Sequence, residues 1–225
     1  TSSSDLLVVT DVATLAGTLR LDYLGGYRPK VGDSFDILTA GSLDGTFDRI
    51  ESPGGQRWEA TYNDLTNTVS VTVTASAYQV WVEENGLTEN INDGFFDDPD
   101  GDGEPNIKEF ALNGDPLDAN SGCRFYPAIA EIVSGKVFTV TFPVRKGADF
   151  SGSPKPEATI NAIQYRIEGS TGLEEFDHPV EEFSFALDDG LPALPTNYEY
   201  QTFRTEGLVT DHRTAHLRVV VQPAP

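Results

Sequence analysis

Carboxylates alternate with glycine and proline in one twelve-residue stretch, which runs from Asp98 to Glu109. Calcium binds roughly six to eight oxygen ligands at about 2.3–2.6 Å, and alternating side chains on a tightly curled backbone can supply them. The ligand positions 1, 3, 5, 7, 9 and 12 of such a loop are filled here by Asp98, Asp100, Asp102, Glu104, Asn106 and Glu109. The spacing therefore predicts a Ca²⁺ site.

Each position in this loop has a distinct role. Glu104 is expected to offer its backbone carbonyl, Asn106 its side-chain oxygen and Glu109 both carboxylate oxygens, while Gly103 permits the sharp turn at position 6. The alternative is a solvated acidic turn, because Asp and Gly are ordinary loop residues. The match at every diagnostic position favours the metal. Pro105 at position 8 has no N–H to pair with a second loop, so paired EF-hands are not predicted.

A short helix is predicted on each side of this region. Ser76 and Gln79 form a capping-box pattern, and Tyr78, Trp81 and Val82 share one helical face. This spacing favours core packing of both aromatic residues over sugar stacking. Residues 87–97 are acidic and irregular and include Asn92, Asp93 and Asp97. They are interpreted as a solvated loop, or as the source of an extra ligand or of a second, poorer site.

The second helix follows the loop directly. Pro105 suits its first position, Ile107, Phe110 and Ala111 form an apolar face, and Gly114 is expected to end it. About ten residues separate the first helix from the calcium loop, unlike the abutting helix of an EF-hand. Further on, Asp115, Asp118 and Asn120 are interpreted as a polar turn or a degenerate second site.

The rest of the chain has the period-2 alternation of β-strands. Val69, Val71 and Val73 give the clearest signal, and Asp44–Gly45 is interpreted as a turn. The apolar run Leu6–Val9 lacks a hairpin partner, which suggests pairing with an upstream segment or a neighbouring chain. Residues 123–225 contain about five to seven strands, including Phe183–Leu187, as in a β-sandwich.

These patterns predict a mainly β protein with two β-sandwich or β-stack units joined by a short helical calcium-binding segment. The expected domains are residues 1–75, 76–122 and 123–225. The net charge of −21 argues against nucleic-acid partners, and no apolar run is long enough to insert into a membrane. The single cysteine, Cys123, excludes a disulfide within the chain and is interpreted as a small buried residue. The absence of an initiator methionine and of a signal peptide suggests a processed fragment.

Three segments resemble parts of exported bacterial proteins. The run AGTLRLDYLGGYRPKVGDSFDILTAGSLDGTFDRI resembles the closing end of autotransporter-type passengers, where β-helix rungs finish. The segment DDPDGDGEPNIKEFALNGDPLDANSG resembles the calcium segment related to dockerin and thrombospondin type 3 repeats, present here in a single copy. The run FTVTFPVRKGAD, with the strands after it, resembles an accessory β-sandwich that follows such segments. The resemblance implies a bacterial, exported protein at the cell surface, in which calcium is structural.

No catalytic constellation is recognisable. His178, His212 and His216 lack the spacing of a metal site, and the nucleophile-elbow, P-loop and dinucleotide motifs are missing. Adjacent carboxylates such as Glu181 and Glu182 are expected by chance among 36 acidic residues. We therefore expect no enzyme.

The favoured hypothesis is a non-catalytic extracellular protein with a structural or adhesive role, in which calcium rigidifies the junction between two β modules. The first alternative is a carbohydrate-binding accessory module of a secreted polysaccharide-degrading enzyme, with Trp58, Tyr198 or Tyr200 stacking on sugars. The second is a surface-fibre subunit that donates its N-terminal strand. Candidate partners besides calcium are a cell-surface glycan or protein, or copies of the chain itself.

Overall fold

The computed structural model describes residues 4–25, 27–172, 175–183, 190–211 and 214–225. Strands account for 42% of the chain and helices for 7%, so the prediction of a mainly β protein is confirmed. The chain divides into two compact units, Thr1–Trp81 and Val82–Pro225. Neither described helix has the length and apolarity needed to cross a membrane.

The first unit is built from short strands. They are β1 (Leu7–Val8), β2 (Val12–Leu15), β3 (Thr18–Arg20), β4 (Ser34–Thr39), β5 (Ser42–Gly45), β6 (Arg49–Glu51), β7 (Arg57–Asn63) and β8 (Thr68–Ala75). Helix α1 (Ala77–Glu84) follows, and the division between the units falls within it. The predicted capping box at its start is confirmed: the Ser76 N–H donates to Gln79 Oε1 (2.9 Å) and the Gln79 N–H to Ser76 Oγ (3.2 Å).

Six of these strands form three parallel pairs, β1 with β4, β2 with β5 and β3 with β6. Leu7 lies beside Leu38, Val12 beside Ser42 and Thr18 beside Arg49, so each pair joins residues about 30 positions apart. The arrangement is two successive turns of a coil, each contributing three short strands. It corrects two predictions, because the run at Leu6–Val9 pairs within its own chain and Asp44–Gly45 belongs to a strand rather than a turn.

An antiparallel pair completes the first unit, with β8 between β4 and β7. Val69, Val71 and Val73 of β8 are buried, as their alternation predicts. Val69 shares a hydrophobic cluster with Ala13 and Leu15 of β2. The core of this unit therefore lies between the coil and the antiparallel strands.

The second unit contains one helix and two sheets. Its elements are α2 (Asn106–Leu112), β9 (Tyr126–Ile132), β10 (Gly135–Arg145), β11 (Glu157–Ile160), β12 (Ile163–Ser170), β13 (Val180–Glu182), β14 (Tyr198–Thr205) and β15 (His216–Pro223). One sheet has the order β13-β14-β10-β9 and the other β11-β12-β15. Most of the predicted strand Phe183–Leu187 lies outside the described residues, since positions 184–189 are not among them.

Aromatic side chains from both sheets meet in the core of the second unit. Phe142 of β10 stacks on Phe203 of β14 with ring centres 5.4 Å apart. Phe150 contacts Phe203 at 4.9 Å and Tyr165 of β12 at 5.6 Å. Phe150 thus contacts both sheets, which pack against each other as the two layers of a sandwich.

Candidate metal centre

The loop that begins at Asp98 is curled by its own side chains. The carboxylate of Asp98 accepts hydrogen bonds from the N–H groups of Gly101 (2.9 Å) and Gly103 (3.0 Å). Both glycines have positive φ, +75° and +89°, a conformation that residues with a Cβ rarely adopt. The glycine predicted to permit the turn at position 6 therefore does so, and a second glycine at position 4 assists it.

Two further aspartates hold the next turns of the loop. Asp100 Oδ1 accepts the N–H of Asp102 (3.1 Å), and Asp102 Oδ1 accepts the N–H of Glu104 (2.7 Å). One oxygen from each of Asp98, Asp100 and Asp102 lies within 4.8 Å of the others. Two ligands on opposite sides of an ion at about 2.4 Å are separated by about 4.8 Å, so these three oxygens fit around one cation. In the described part of the chain this is the one such group of Asp, Glu, His or Cys, and Glu109 is not a member of it. The structure therefore brings three predicted ligands together, but not the carboxylate at position 12.

Glu109, at position 12, is fully buried on the first half of α2. Neither of its carboxylate oxygens has a hydrogen-bond partner among the described residues. Burial, together with repulsion from Asp100 and Asp102, raises the pKa of Glu109 from 4.5 to about 8. A carboxylate in this position needs either a proton or a cation.

Asn106 is held so that only its oxygen remains available. Its side-chain amide donates to the backbone carbonyls of Asn92 and Gly94, both at 2.9 Å. Asn106 Oδ1 is buried and has no hydrogen-bond partner in the described residues. These contacts use the nitrogen of the amide as a hydrogen-bond donor and leave its oxygen free to bind a cation.

The side chain of Glu104 is occupied elsewhere. It accepts the Cys123 N–H at 2.6 Å through Oε2 and forms an ion pair with Lys108 through Oε1. Although burial opposes ionisation, these contacts lower the pKa of Glu104. The backbone carbonyl is therefore the group that Glu104 has to offer a metal, as position 7 predicts.

Buried oxygens without hydrogen-bond partners distinguish three of the predicted ligand residues from the other acidic residues of the loop. Four such oxygens occur in the loop, on Asp100, Asn106 and Glu109, and all three residues belong to the predicted ligand set. Buried polar atoms are normally hydrogen-bonded, so several unpartnered acceptors in one loop indicate a cation. The set consists of oxygen atoms only, which suits a hard divalent ion.

Two glycines outside the loop, Gly114 and Gly122, shape the site in a way that the sequence analysis did not predict. A Cβ at Gly114 would lie 2.9 Å from Glu109 Cγ, and one at Gly122 would lie 2.7 Å from Glu104 Oε2 and 3.2 Å from Asp102 Oδ2. A side chain at Gly114 would therefore displace the stem of Glu109, and one at Gly122 would push the carboxylates of Glu104 and Asp102 aside. The separation of both glycines in sequence from the loop explains why the ligand spacing does not reveal them.

The segment before the loop takes the place of an entering helix. The N–H groups of Asn106 and Ile107, which begin α2, donate to the carbonyls of Asp97 and Phe95, both at 2.9 Å. These groups lack partners within a helix, so the irregular segment caps α2 from outside. At the other end, Asn113 rather than Gly114 adopts the left-handed conformation (φ 59°), which corrects the predicted helix end by one residue.

Helix α2 is fastened to both sheets of the second unit. The hydroxyl of Tyr165 on β12 donates to the Ala111 carbonyl, and that of Tyr198 on β14 donates to the Phe110 carbonyl, both at 2.8 Å. The Arg145 guanidinium of β10 lies 4.4 Å from the Phe110 ring centre and 4.6 Å from that of Tyr198. Helix α2 is thus held on the β core through the carbonyls of Phe110 and Ala111, the two residues that follow Glu109.

The other acidic candidates serve local turns. Asp93 accepts the Asn90 N–H, Asp97 the Gly94 N–H, and Asp115 the Leu117 N–H. Asp118 accepts both the backbone and side-chain N–H groups of Asn120. These bonds agree with the interpretation of residues 87–97 as a solvated loop and of Asp115–Asn120 as a polar turn.

Of the remaining side chains considered for chemistry, the described histidines lie apart from the site, and Cys123, predicted to be buried, is only half-buried beside Glu104. His178 contacts the Glu206 carbonyl through Nε2 (2.8 Å), His216 begins β15, and His212 lies outside the described residues. Burial and the nearby Glu104 carboxylate raise the pKa of the Cys123 thiol, which disfavours a thiolate nucleophile.

The three aromatic residues considered for sugar stacking differ in exposure. Tyr198 is buried, so it has no face for a sugar. Tyr200 is half-buried and donates its hydroxyl to the Pro192 carbonyl. Trp58 is half-buried and donates its ring N–H to the hydroxyl of Tyr23. Comparisons of the chain with protein-family models, with curated proteins and with solved structures found no match.

Proposed function

We propose that the loop Asp98–Glu109 binds one calcium ion and that the protein is a non-catalytic extracellular structural or adhesive protein stabilised by this ion. The observation that carries the proposal is the pair of buried, unpartnered oxygens on Glu109, which face repulsion from Asp100 and Asp102. The residues that would hold the ion are Asp98, Asp100, Asp102, Asn106 and Glu109, with the backbone carbonyl of Glu104.

Calcium fits this ligand set better than the common alternatives. Zinc prefers nitrogen and sulfur ligands, and the loop offers only oxygens. Magnesium requires a near-ideal octahedron and keeps several of its waters, which a largely buried Glu109 and Asn106 do not favour. The expected ion is therefore Ca²⁺, held by about six to eight oxygens.

The ion would act by neutralising charge and by fixing α2. It would remove the repulsion among Glu109, Asp100 and Asp102 and tie the loop to the helix that Tyr165 and Tyr198 hold on the β core. The segment 76–122, which leads from one set of strands to the next, would become rigid as a consequence. Binding free energy would then appear as stability of the folded state.

An extracellular location is part of this proposal. Calcium sites of extracellular modules work at dissociation constants of about 10⁻⁴–10⁻³ M, which only a calcium-rich medium saturates. A net charge of −21 and a single cysteine are compatible with such a medium. The two alternatives have less support, because Tyr198 is buried and β1 pairs with β4 of its own chain.

Thermal unfolding with and without calcium tests the proposal. We expect the melting temperature to rise by several degrees between excess chelator and millimolar calcium, and to rise less with magnesium. Glu109→Gln should abolish most of the calcium response. Above about pH 8 it should also make the chelated protein more stable, because there it removes an ionised, buried carboxylate that lacks a partner.

Glu89→Gln is the matched control, since it makes the same change on an exposed side chain outside the loop. It should leave the calcium response intact. Equal melting in calcium and chelator, or an unchanged response in Glu109→Gln, would refute the proposal.

A further inference from the structure

Two Asn–Gly pairs occur in the chain, Asn85–Gly86 and Asn113–Gly114, and each follows a helix. In such a pair the glycine nitrogen can attack the side-chain carbonyl carbon of the asparagine, because glycine has no Cβ to hinder the approach. A five-membered imide forms, ammonia leaves, and water opens the ring to aspartate or isoaspartate. Each pair is therefore a candidate site of spontaneous deamidation.

The backbone conformation of Asn113 prevents this reaction in the folded chain. Asn113 has φ 59° and ψ 47°. With this ψ, the Gly114 nitrogen lies trans to the Asn113 Cβ about the Cα–C bond, whereas closure of the imide ring requires the cis arrangement. Asn113 must therefore leave its folded conformation before it can react.

Hydrogen bonds and burial oppose that rotation. The N–H groups of Asn113 and Gly114 both donate to the Glu109 carbonyl, the second at 3.0 Å. Leu112, which precedes the pair, is fully buried, and the N–H of Asp115, which follows it, donates to the Ser121 carbonyl at 3.1 Å. Deamidation of Asn113 therefore requires a local opening that breaks the bonds between the end of α2 and Glu109.

The same pair contacts the side chain of the proposed calcium ligand. A Cβ at Gly114 would lie 2.9 Å from Glu109 Cγ, so the glycine packs directly against the stem of this carboxylate. An opening at Gly114 would thus disturb both the backbone and the side chain of Glu109. A calcium ion bound to Glu109 would oppose the opening, because it binds the closed form only.

We propose that Asn113 is a deamidation site controlled by calcium, and that the modified chain loses its calcium site; this inference rests on the proposed function. In the calcium-free chain the Gly114 nitrogen gives its proton to solvent and forms a bond to Asn113 Cγ. The bond between Cγ and the side-chain nitrogen breaks, ammonia leaves, and water hydrolyses the imide. The isoaspartate product lengthens the main chain by a methylene group beside Glu109 and displaces this ligand irreversibly.

The size of the calcium effect follows from mass action. If the opening releases the ion, the open population falls by a factor of one plus the ratio of calcium concentration to dissociation constant. At calcium about 100 times the dissociation constant, deamidation should be about 100-fold slower than in chelator. The rates across a calcium series should give the same dissociation constant as calorimetry.

Peptide mass spectrometry of the full chain, incubated in mildly alkaline buffer with calcium or with excess chelator, measures both Asn–Gly pairs. We expect Asn113 to react at least about ten-fold faster in chelator. Asn85 is the internal control, because the Gly86 N–H donates to the Glu83 carbonyl of α1 at 3.1 Å, outside the calcium loop, and its rate should change much less. In urea both pairs should react at similar rates with and without calcium.

Asn113→Gly tests the consequence for binding. It removes the reactive amide and suits the left-handed conformation, which glycine adopts without strain. After prolonged incubation in chelator, wild type should have lost calorimetric calcium binding, whereas Asn113→Gly should retain it. Wild type incubated equally long in calcium should also retain it.

Three results would overturn this inference and leave the proposed function intact, provided that the fresh chain binds calcium. The first is an equal rate at Asn113 in calcium and in chelator. The second is an intact Asn113 in chelator over a period in which the chain in urea is fully modified. The third is unchanged calcium affinity in a chain whose Asn113 has been converted. Absence of calcium binding by the fresh chain would refute the proposed function and the calcium control together.

Discussion

At the scale of single residues, the site depends on a carboxylate that is costly to bury. Glu109 is fully buried, its oxygens have no hydrogen-bond partner among the described residues, and its neighbours Asp100 and Asp102 carry the same charge. Such an arrangement destabilises the folded state unless a cation or a proton compensates. The folded loop is therefore less stable with Glu109 ionised and no cation bound than with a cation or a proton present.

The first prediction concerns pH. Since the pKa of Glu109 is raised from 4.5 to about 8, the calcium-free folded chain binds more protons than the unfolded chain between these values. Its free energy of unfolding should therefore fall as pH rises from about 5 to about 8. Melting curves across this range in excess chelator measure the effect, and Glu109→Gln should be less sensitive to pH. An identical pH dependence in both proteins would contradict the assignment.

The second prediction concerns space around the ligand. A Cβ at Gly114 would lie 3.0 Å from Glu109 Oε1, so Gly114→Ala should displace this carboxylate and weaken calcium binding by about ten-fold or more. Gly172→Ala is the matched control, because a Cβ there has no neighbour within 4 Å. Calcium titration of both variants distinguishes them. Equal affinities would show that Glu109 is not a ligand.

At the scale of elements, α2 links the loop to the sheets. Its seven residues are too few for a stable helix in isolation, so its order must come from packing. Tyr165 and Tyr198 bind the carbonyls of the two residues that follow Glu109. Displacing α2 from the β core would therefore displace Glu109, the proposed ligand.

The third prediction tests this link. The Tyr165 hydroxyl donates to the Ala111 carbonyl and accepts the Arg145 N–H at 3.0 Å, so Tyr165→Phe should cost about 1–3 kcal/mol of stability. It should also weaken calcium binding several-fold. Tyr200→Phe, which loses one bond to the Pro192 carbonyl, should leave the affinity unchanged. A less stable Tyr165→Phe with wild-type affinity would show that α2 docking and calcium binding are independent.

At the scale of the whole molecule, local features were predictable from the sequence and long-range ones were not. The ligand positions lie within twelve residues, so their spacing alone indicates the loop. The contacts of Asn106 with Asn92 and Gly94, and of Gly122 with Glu104, depend on the fold of flanking segments. No local rule predicts them.

The same distinction explains the errors in the first unit. Asp44–Gly45 resembles a hairpin turn, but parallel pairing of β5 with β2 keeps it in a strand. Leu6–Val9 has no antiparallel neighbour in sequence, and its true partner, β4, is about 30 residues away and parallel. Turn residues identify hairpins, whereas parallel coils are set by contacts between distant segments.

Calorimetric titration of the chelator-stripped full chain with calcium tests the central claim most directly. The account predicts one ion per chain with a dissociation constant in the millimolar range or tighter, and loss of this binding in Glu109→Gln but not in Glu89→Gln. An absence of binding at several millimolar calcium, or equal binding by wild type and Glu109→Gln, would contradict it.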